Sequence, residues 1–355
     1  MNTYRMPAEW EQQSMVQLTW PHVGTDWAPI LSDITHTYMQ MAREIAAREH
    51  LLIVVPANSN LPKEIATLEN TTIVNCPTND TWARDHAFIT LVPTTEDNNG
   101  DNLPPLLLNF RFNGWGEKFE HQLDNAINAT LFKQPQLFRG CLYGDMNDFI
   151  LEGGSIESDG NGTIFTTSQC LLAPHRNQPL SQADIEQQLK LRLHANRIVW
   201  LDHGNLIGDD TDGHIDTIVR TAPDDTLIYV SCNDSCDDHF HDFKALEQQL
   251  IGLRTTGNKP YRLLPLPMPD PIYDGDDRLP ATYANFLVIN SAVLVPTYDQ
   301  PHNDSVAMKT IQQAFPQREI IPIDSRSIIR QHGSIHCCTM QFPSEVMKKN
   351  LKTRD

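Results

Sequence analysis

Short apolar runs of strand length alternate with segments of helical periodicity along most of this 355-residue chain. Residues 51–55 form a continuous apolar run, and they follow a segment in which Ile34, Tyr38, Met41 and Ile45 recur at helical spacing. A short apolar run is typical of a buried strand, and the preceding spacing is typical of an amphipathic helix. Because this alternation continues along the chain, the sequence predicts an α/β fold class.

The other expected elements follow the same pattern. Strands are expected at residues 106–110, 197–201, 226–230, 286–289, 292–295 and 319–323. Helices are expected at about 118–131 and 238–250, between a cap at Ser181 and residue 197, and in a segment ending near Phe315. Asn290-Ser291 is predicted to form a tight turn. The polar loop 93–105 is interpreted as an exposed insertion, so one domain is predicted over residues 1–355.

Composition excludes several classes of protein. The formal net charge of −18 argues against nucleic acid or an anionic membrane as a partner. No apolar run approaches the roughly 20 residues of a membrane span, and no secretory leader is recognisable. The seven cysteines are odd in number and widely spaced, which favours reduced thiols in a cytoplasmic protein.

The segment Gly333-Ser334-Ile335-His336-Cys337-Cys338-Thr339 is a candidate nucleophile site. A lone cysteine is most often a small buried hydrophobe. Cys337, however, is flanked by a histidine and follows a glycine, at the expected start of a strand. In a strand, Cys337 and Cys338 would point to opposite faces, so only one could face a given site. The reactive thiolate needs a nearby positive charge, which a bound cationic substrate could supply.

The acidic segment 208–216 has three open interpretations: a metal site, a solvated loop or a catalytic segment. It lacks the glycine and closing glutamate of an EF-hand loop and the two histidines of a zinc motif. In an extended segment, His214 and Asp216 would lie on the same face and present a base beside a carboxylate. The catalytic interpretation is favoured.

Two further clusters suit a cationic ligand. Trp82 and Asp85 lie in a polar run where an indole could wall a pocket and a carboxylate could bind a guanidinium. An ordinary turn with a paired arginine is the alternative. Glu152 precedes two glycines that would let a substrate lie against the backbone, although a simple turn is equally compatible.

These segments, in this order, resemble the agmatine deiminase family, which includes the Porphyromonas-type peptidylarginine deiminases. The resemblance covers nearly the whole chain. Its other segments are Met6-Pro7-Ala8-Glu9-Trp10, Trp20-Pro21, Phe112-Asn113-Gly114-Trp115-Gly116-Glu117-Lys118, Gly275-Asp276-Asp277-Arg278-Leu279 and Phe315-Pro316-Gln317-Arg318.

The resemblance implies the pentein fold, a five-bladed, pseudo-symmetric α/β propeller of ββαβ units. It also implies a hydrolase, free of cofactor and metal, that removes ammonia from a guanidinium group. The expected reaction converts agmatine to N-carbamoylputrescine through a covalent cysteine thiouronium intermediate, in putrescine and polyamine biosynthesis. A homodimer is the expected assembly.

The resemblance also implies roles for particular residues. Cys337 resembles the nucleophile, His214 the proton donor and acceptor, and Glu152 the carboxylate that pairs with the histidine and substrate. Asp85 and Asp216 resemble the carboxylates that clamp the guanidinium, and Trp82 resembles a pocket wall. Many family members carry Glu where Asp210 stands, and that side chain contacts the far amine of agmatine.

Three rival functions are weighed against an agmatine deiminase: a deiminase of peptidylarginine or another guanidine, an amidinotransferase, and a catalytically silent binder of cations. A binder would need no thiol. The segment leading to His214 carries Asp209, Asp210 and Asp212 and no Lys or Arg. If that segment lines the pocket, the carboxylate of free arginine would meet like charge, so agmatine is the predicted substrate.

Overall fold

The computed structural model describes residues 3–94, 103–134 and 136–347, so part of the predicted polar loop, residues 95–102, lies outside the described residues. The strands are β1 Tyr4–Arg5, β2 Gln13–Thr19, β3 His50–Val55, β4 Thr71–Asn75, β5 Ile89–Pro93, β6 Leu106–Arg111, β7 Leu142–Ile150, β8 Ile156–Ser158, β9 Thr163–Thr167, β10 Arg197–Leu201, β11 Val219–Ala222, β12 Thr226–Ser231, β13 Arg262–Pro267, β14 Tyr273–Asp274, β15 Asp277–Arg278, β16 Leu287–Ile289, β17 Ala292–Thr297, β18 Glu319–Asp324 and β19 Thr339–Pro343.

The helices are α1 Leu31–Ala46, α2 Lys63–Ala66, α3 Ala83–His86, α4 Gly114–Glu117, α5 Gln122–Asn125, α6 Ile127–Phe132, α7 Ser168–Leu171, α8 Gln182–Arg192, α9 Phe240–Gly252 and α10 Pro301–Ala314. Short 3-10 turns occur at Ala28–Ile30, Gly153–Ser155, Ile215–Thr217 and Ile328–Gln331. No helix in the described ranges is long and apolar enough to cross a membrane.

Five sheets within the described residues share one connectivity. In four of them, an antiparallel pair is followed, after a helical connection, by a parallel third strand: β5-β6-β7, β8-β9-β10, β11-β12-β13 and β16-β17-β18. In the fifth, β19 from the end of the chain lies antiparallel to β2, and β2 leads through α1 to the parallel strand β3. These five ββαβ units confirm the predicted fold class.

Helix α1 shows why the sequence pattern specifies this unit. Its buried face consists of Ile34, Tyr38, Met41 and Ile45, together with smaller residues between them. These side chains share a hydrophobic core with the buried side chains of β2 and β3. Burial of such an apolar stripe against a sheet supplies most of the stability of a helix of this kind.

Most predicted elements are confirmed, including the turn at Asn290-Ser291 between β16 and β17 and the cap of α8 at Ser181, which forms a capping box with Asp184. The single helix predicted over 118–131 is wrong, because α5 and α6 divide it. Here tertiary contacts take the polar side chains: Asn125 accepts a hydrogen bond from the backbone of Phe112, and Asn128 donates to the carbonyl of His86.

Candidate active site

The candidate site residues lie on short turns, each of which leads into the first strand of a sheet. Asp85 is on α3 before β5, and Glu152 immediately precedes the turn Gly153–Ser155 before β8. His214 and Asp216 belong to the turn before β11, and Cys337 lies in the turn before β19. Four sheets therefore contribute to one site, where Cys337, Asp85, Glu152, His214 and Asp216 come together.

Cys337 is held in place by its backbone. Its amide N–H donates to Asn285 Oδ1 at 3.2 Å, and its carbonyl accepts from the amide of Arg84 at 3.1 Å. Its Sγ lies 3.7 Å from Asp216 Oδ2. The prediction that Cys337 starts a strand is wrong, because the strand begins at Thr339 and Cys337 lies in the preceding turn.

Cys338 lies in a different environment from its neighbour. It is completely buried in the hydrophobic core beneath α1, together with Tyr38, whereas Cys337 lines a cavity. The two thiols therefore face different surroundings, as predicted from the sequence, although the two residues lie in a turn and not in a strand. The seven cysteines form no disulfide with one another.

The Cys337 thiol is electrostatically suppressed in the free protein. Burial raises its pKa well above the ordinary value, and the negative charges of Asp216 and Asp85 raise the pKa further. A cation bound between the thiol and these carboxylates would act in the opposite direction and favour the thiolate.

His214 is completely buried, with its Nδ1 3.7 Å from Asp85 Oδ1. Within the described residues, neither ring nitrogen has a hydrogen-bond partner. Burial lowers the pKa of His214, but Asp85, Cys170 and Asp216 outweigh burial and raise that pKa well above its ordinary value. The charges around the ring therefore favour its protonated form. His214 precedes the 3-10 turn that contains Asp216, so the predicted extended segment is wrong.

Asp85 and Asp216 flank the thiol in different electrostatic states. Asp85 Oδ2 accepts from Trp115 Nε1 at 3.0 Å, and Oδ1 accepts from the Gly154 amide at 3.1 Å. Burial raises the pKa of Asp85 to about 6. Asp216 Oδ2 lies 2.7 Å from His336 Nδ1, and this contact with His336 overcomes burial and lowers the pKa of Asp216.

Gly154 is required by the close approach of three functional side chains. A Cβ at this position would lie 2.6 Å from His214 Nδ1, 2.9 Å from Asp85 Oδ1 and 3.1 Å from Asp216 Oδ2. Any larger residue must push at least one of these groups away. The second glycine after Glu152 thus allows the side chains of the site to pack closely around it.

Glu152 is paired with Arg176, a residue that the sequence analysis did not select. Glu152 Oε1 accepts from Arg176 Nε at 2.8 Å, and both side chains are completely buried. Glu152 Oε2 has no hydrogen-bond partner within the described residues. The carboxylate has ligand atoms within 4.8 Å of those of His214 and Cys170. The expected pairing with the histidine is thus replaced in the free protein by an arginine, and one oxygen stays available.

A cavity of about 160 Å³ opens above Cys337. Its wall comprises Asp26, Asp80, Trp82, Asp85, Trp115, Phe119, Asp210, Thr211, Gln331, His332, Gly333 and Cys337. Four of these are carboxylates, and no Lys or Arg is among the described residues of the wall. Trp82 packs against Gly333, where a Cβ would lie 2.1 Å from the indole ring. The cavity suits a cation between aromatic walls.

Two cations nevertheless approach the acidic segment from outside it. Lys118 Nζ lies 2.9 Å from Asp212 Oδ1 and donates to the carbonyl of Asp210 at 2.6 Å. Arg176 Nη1 lies 2.8 Å from Asp212 Oδ2. Asp209 accepts from Thr211 and from the Gly213 amide, so it shapes the turn. Asp210 keeps its carboxylate at the cavity wall, 3.8 Å from His332 Nδ1.

Two groups of side chains have spacing that a metal ion could use: Glu152, Cys170 and His214, and Glu9, Glu157 and His336. An arginine already pairs with a carboxylate in each group, Arg176 with Glu152 and Arg220 with both Glu9 and Glu157. A guanidinium at the ligand oxygens opposes a second cation electrostatically. The expectation that the protein uses no metal stays a prediction.

Four residues of the site were not predicted from the sequence: Arg176, Trp115, Glu9 and His336. Trp115, Glu9 and His336 lie inside segments that carry the family resemblance, so a signal for them existed. Trp115 has a φ of 54°, and its backbone in the left-handed region turns the indole toward Asp85. No sequence pattern marked Arg176.

Comparison with known proteins gives the family of the chain. The model of the Porphyromonas-type peptidyl-arginine deiminase family matches residues 5–343. An agmatine deiminase of Pseudomonas aeruginosa (strain LESB58) is 30% identical over 366 residues, with 96% of each chain covered.

Two solved structures are similar over nearly their whole lengths. A protein from Porphyromonas gingivalis, provisionally named an arginine deiminase, has 45% identity and a TM-score of 0.88, with 96% of this chain and 99% of that chain covered. A cysteine-to-serine variant of C. jejuni agmatine deiminase with substrate bound has 35% identity and a TM-score of 0.87, with 96% of both chains covered.

Proposed function

The chain belongs to the Porphyromonas-type peptidyl-arginine deiminase family, and we propose that it is an agmatine deiminase, which hydrolyses agmatine to N-carbamoylputrescine and ammonia. The observation that carries this proposal is the cavity above Cys337, which is lined by four carboxylates and, among the described residues, by no Lys or Arg. Agmatine carries a guanidinium at one end and an amine at the other, so carboxylates suit both ends. The agmatine deiminases of P. aeruginosa and C. jejuni support the same substrate.

In the proposed complex, Asp85 and Asp216 bind the guanidinium nitrogens and hold its carbon beside Cys337 Sγ. Trp82 forms a wall of the cavity, and Asp210 accepts a hydrogen bond from the far amine. The charge of the guanidinium offsets the two carboxylates that suppress the thiol, so substrate binding itself favours the thiolate. Orientation of the reacting atoms supplies a large part of the catalysis.

The first half of the reaction forms a covalent intermediate. Cys337 Sγ bonds to the guanidinium carbon while one C=N electron pair moves to nitrogen, giving a tetrahedral adduct. His214 donates a proton to a terminal nitrogen, the carbon–nitrogen bond breaks, and ammonia leaves. Glu152, beside His214, stabilises the protonated ring before this transfer.

Water completes the reaction. His214, now neutral, accepts a proton from water while the oxygen bonds to the same carbon. The carbon–sulfur bond then breaks with its electron pair returning to Sγ, and the hydroxyl group passes its proton to that sulfur. N-carbamoylputrescine forms, and Cys337 is a thiol again. A hydrolase acting on amidine carbon–nitrogen bonds needs only these residues and water, so no cofactor is proposed.

A panel of guanidines tests the substrate. Ammonia release should be efficient with agmatine and much weaker with free arginine or with an arginine inside a blocked peptide, because the α-carboxylate would face Asp26, Asp80 or Asp210. Cys337→Ser serves as the inactive control. Equal or better kcat/KM for arginine or the peptide would contradict the substrate, and lack of ammonia from every guanidine would contradict the enzyme class.

The same assay distinguishes two alternative activities. A peptidylarginine deiminase would prefer the blocked peptide, and an amidinotransferase would form a new guanidine when an amine is added in excess. The deiminase relatives that cover the whole chain favour hydrolysis over transfer.

We also propose one domain over residues 1–355, which the pairing of β19 with β2 supports by joining the two ends of the chain. Seven free thiols suit a reducing compartment, and we propose the cytoplasm. The homodimer stays a prediction, and light scattering after gel filtration measures it.

A further inference from the structure

His336 lies between two buried carboxylates directly behind the proposed nucleophile. Its Nδ1 is 2.7 Å from Asp216 Oδ2, and its Nε2 is 2.6 Å from Glu9 Oε1. The ring is about 1% exposed. The mechanism above gives no role to His336 or to Glu9.

The two contacts define the protonation of the ring. An ionised carboxylate can only accept hydrogen bonds, so a ring between two such groups must carry a proton on each nitrogen. Two arginines favour the ionised form of Glu9, because Arg84 Nη1 lies 3.1 Å from its Oε1 and Arg220 Nη2 contacts its Oε2. Burial raises the pKa of Glu9, but His336, Arg220 and Arg84 together lower it well below the usual range.

The contrast with Asp85 shows what the imidazolium does. The charged and titratable groups that act on Asp216 from the packed elements are His336, His214, Arg220, Cys337 and Asp85. Among the described residues with the largest effects on Asp85, His214 is the one cation, with no arginine or second histidine, and burial raises the pKa of Asp85 to about 6. Asp216 is equally buried, yet its pKa is lowered, with the hydrogen bond from His336 as the largest opposing cause.

We propose that His336, held as an imidazolium between Glu9 and Asp216, is a positioning residue that keeps Asp216 ionised with its Oδ2 beside Cys337. Glu9 in turn fixes the ring. The choice of a guanidinium as the ligand of Asp216 rests on the proposed function, whereas the charge state of His336 does not depend on it.

The charge state is measured without substrate. In protein labelled with ¹⁵N-histidine, the His336 ring should show two protonated nitrogens with imidazolium shifts near neutral pH. This signal should disappear in His336→Asn, whereas the imidazolium signal expected of His214 should stay. One bare nitrogen on the His336 ring of the free protein would overturn the proposal, whatever the enzyme acts on.

The consequence for activity is measured as a pH profile. His336→Asn can still offer an N–H to Asp216 but no charge, so Asp216 should take up a proton at higher pH. We expect the acid limb of kcat/KM, near pH 6 in the parent enzyme from Asp85, to move upward by about one unit, which is roughly tenfold lost activity on that limb. Activity should recover toward pH 9. A loss of equal size at every pH would indicate a merely structural role and contradict the proposal.

Two carboxylate variants give matched controls. Glu9→Gln removes the anion on the far side of the ring and should shift the acid limb in the same direction, by less. Glu157→Gln also removes a partner of Arg220, but within the described residues Glu157 makes no hydrogen bond to His336, so the limb should move less than with Glu9→Gln. A shift with Glu157→Gln and none with Glu9→Gln would overturn the assignment. If the parent enzyme releases no ammonia from agmatine, the proposed function fails while the nitrogen shifts still decide the role of His336.

Discussion

The carboxylates beside Cys337 disfavour ionisation of its thiol as long as no cation is bound between them. Burial raises the pKa of the thiol, and the negative charges of Asp216 and Asp85 raise it further. The same charges attract a guanidinium, which neutralises them when it binds. In the proposed mechanism, the substrate itself therefore activates the nucleophile, and a ligand without the positive charge should not produce a thiolate.

Cys337→Ser should abolish turnover without unfolding the protein, because a serine hydroxyl at this site has no strong base to activate it. Cys338→Ser should keep most activity, since that thiol faces the core around Tyr38 and not the cavity. Ammonia release and thermal melts measure both effects, and mass spectrometry of a stalled reaction should find the adduct on Cys337. An inactive Cys338→Ser beside an active Cys337→Ser would reverse the assignment.

At the scale of elements, the site is built from short turns and not from the strands themselves. A one-turn helix carries Asp85, and 3-10 turns follow Glu152 and carry Asp216. Turns of this kind let neighbouring side chains converge, whereas a strand would send alternate side chains to opposite faces. Gly154 is the point where three of these turns meet, because its missing side chain leaves room for His214, Asp85 and Asp216.

Gly154→Ala should lower kcat/KM by about a hundredfold or more, because the new methyl group displaces at least one functional side chain by a fraction of an ångström or more. The fold should remain, since the groups it meets are side-chain ends. Gly252→Ala near the end of α9 is the control, as its Cβ would meet nothing within 4 Å. Steady-state kinetics measure both variants, and normal activity of Gly154→Ala would show that the three groups tolerate displacement.

At the scale of the molecule, the first and last sheets meet where the chain closes on itself. Asn290, in the turn between β16 and β17, accepts from the Gln13 amide at 3.1 Å and donates to the Gln13 carbonyl at 2.9 Å. The buried Glu49 accepts from the Asn290 amide at 2.9 Å, and burial raises the pKa of Glu49 to about 7. The contact between the β2 and β16 sheets therefore includes a carboxyl group whose ionisation lowers the stability of the folded protein.

Glu49→Gln should stabilise the protein at pH 8 by about 1–3 kcal/mol and have little effect near pH 5. A carboxyl group whose pKa is raised on folding favours the folded state in its protonated form, so the protein loses stability as pH rises through the interval up to about 7. Glutamine keeps an acceptor for Asn290 without the charge. Urea unfolding at the two pH values measures the difference, with the exposed Glu69→Gln as control. A gain of equal size at pH 5 would contradict the ionisation argument.

The sequence alone determined most of the elements, the family and the residues proposed for the chemistry of this protein. Local apolar runs and helical periodicity located β3, α1, β12 and β17. The burial pattern of each of these elements can be read from residues that are close together along the chain. Family motifs selected Cys337, His214, Asp85, Asp216 and Glu152, since a reaction on a guanidinium needs a thiol, an acid and carboxylates.

Tertiary structure alone decided how those residues meet and which charges they carry. Arg176 reaches Glu152 across a gap of 24 positions, and Glu9 reaches His336 across 327. No local pattern encodes such contacts. The opposite pKa directions of Asp85 and Asp216 depend on His336, which is 120 positions from Asp216 and meets it only in the folded chain, and on Arg220, which follows Asp216 on β11. Burial and through-space charge depend on distance in three dimensions, and distance along the chain does not give it.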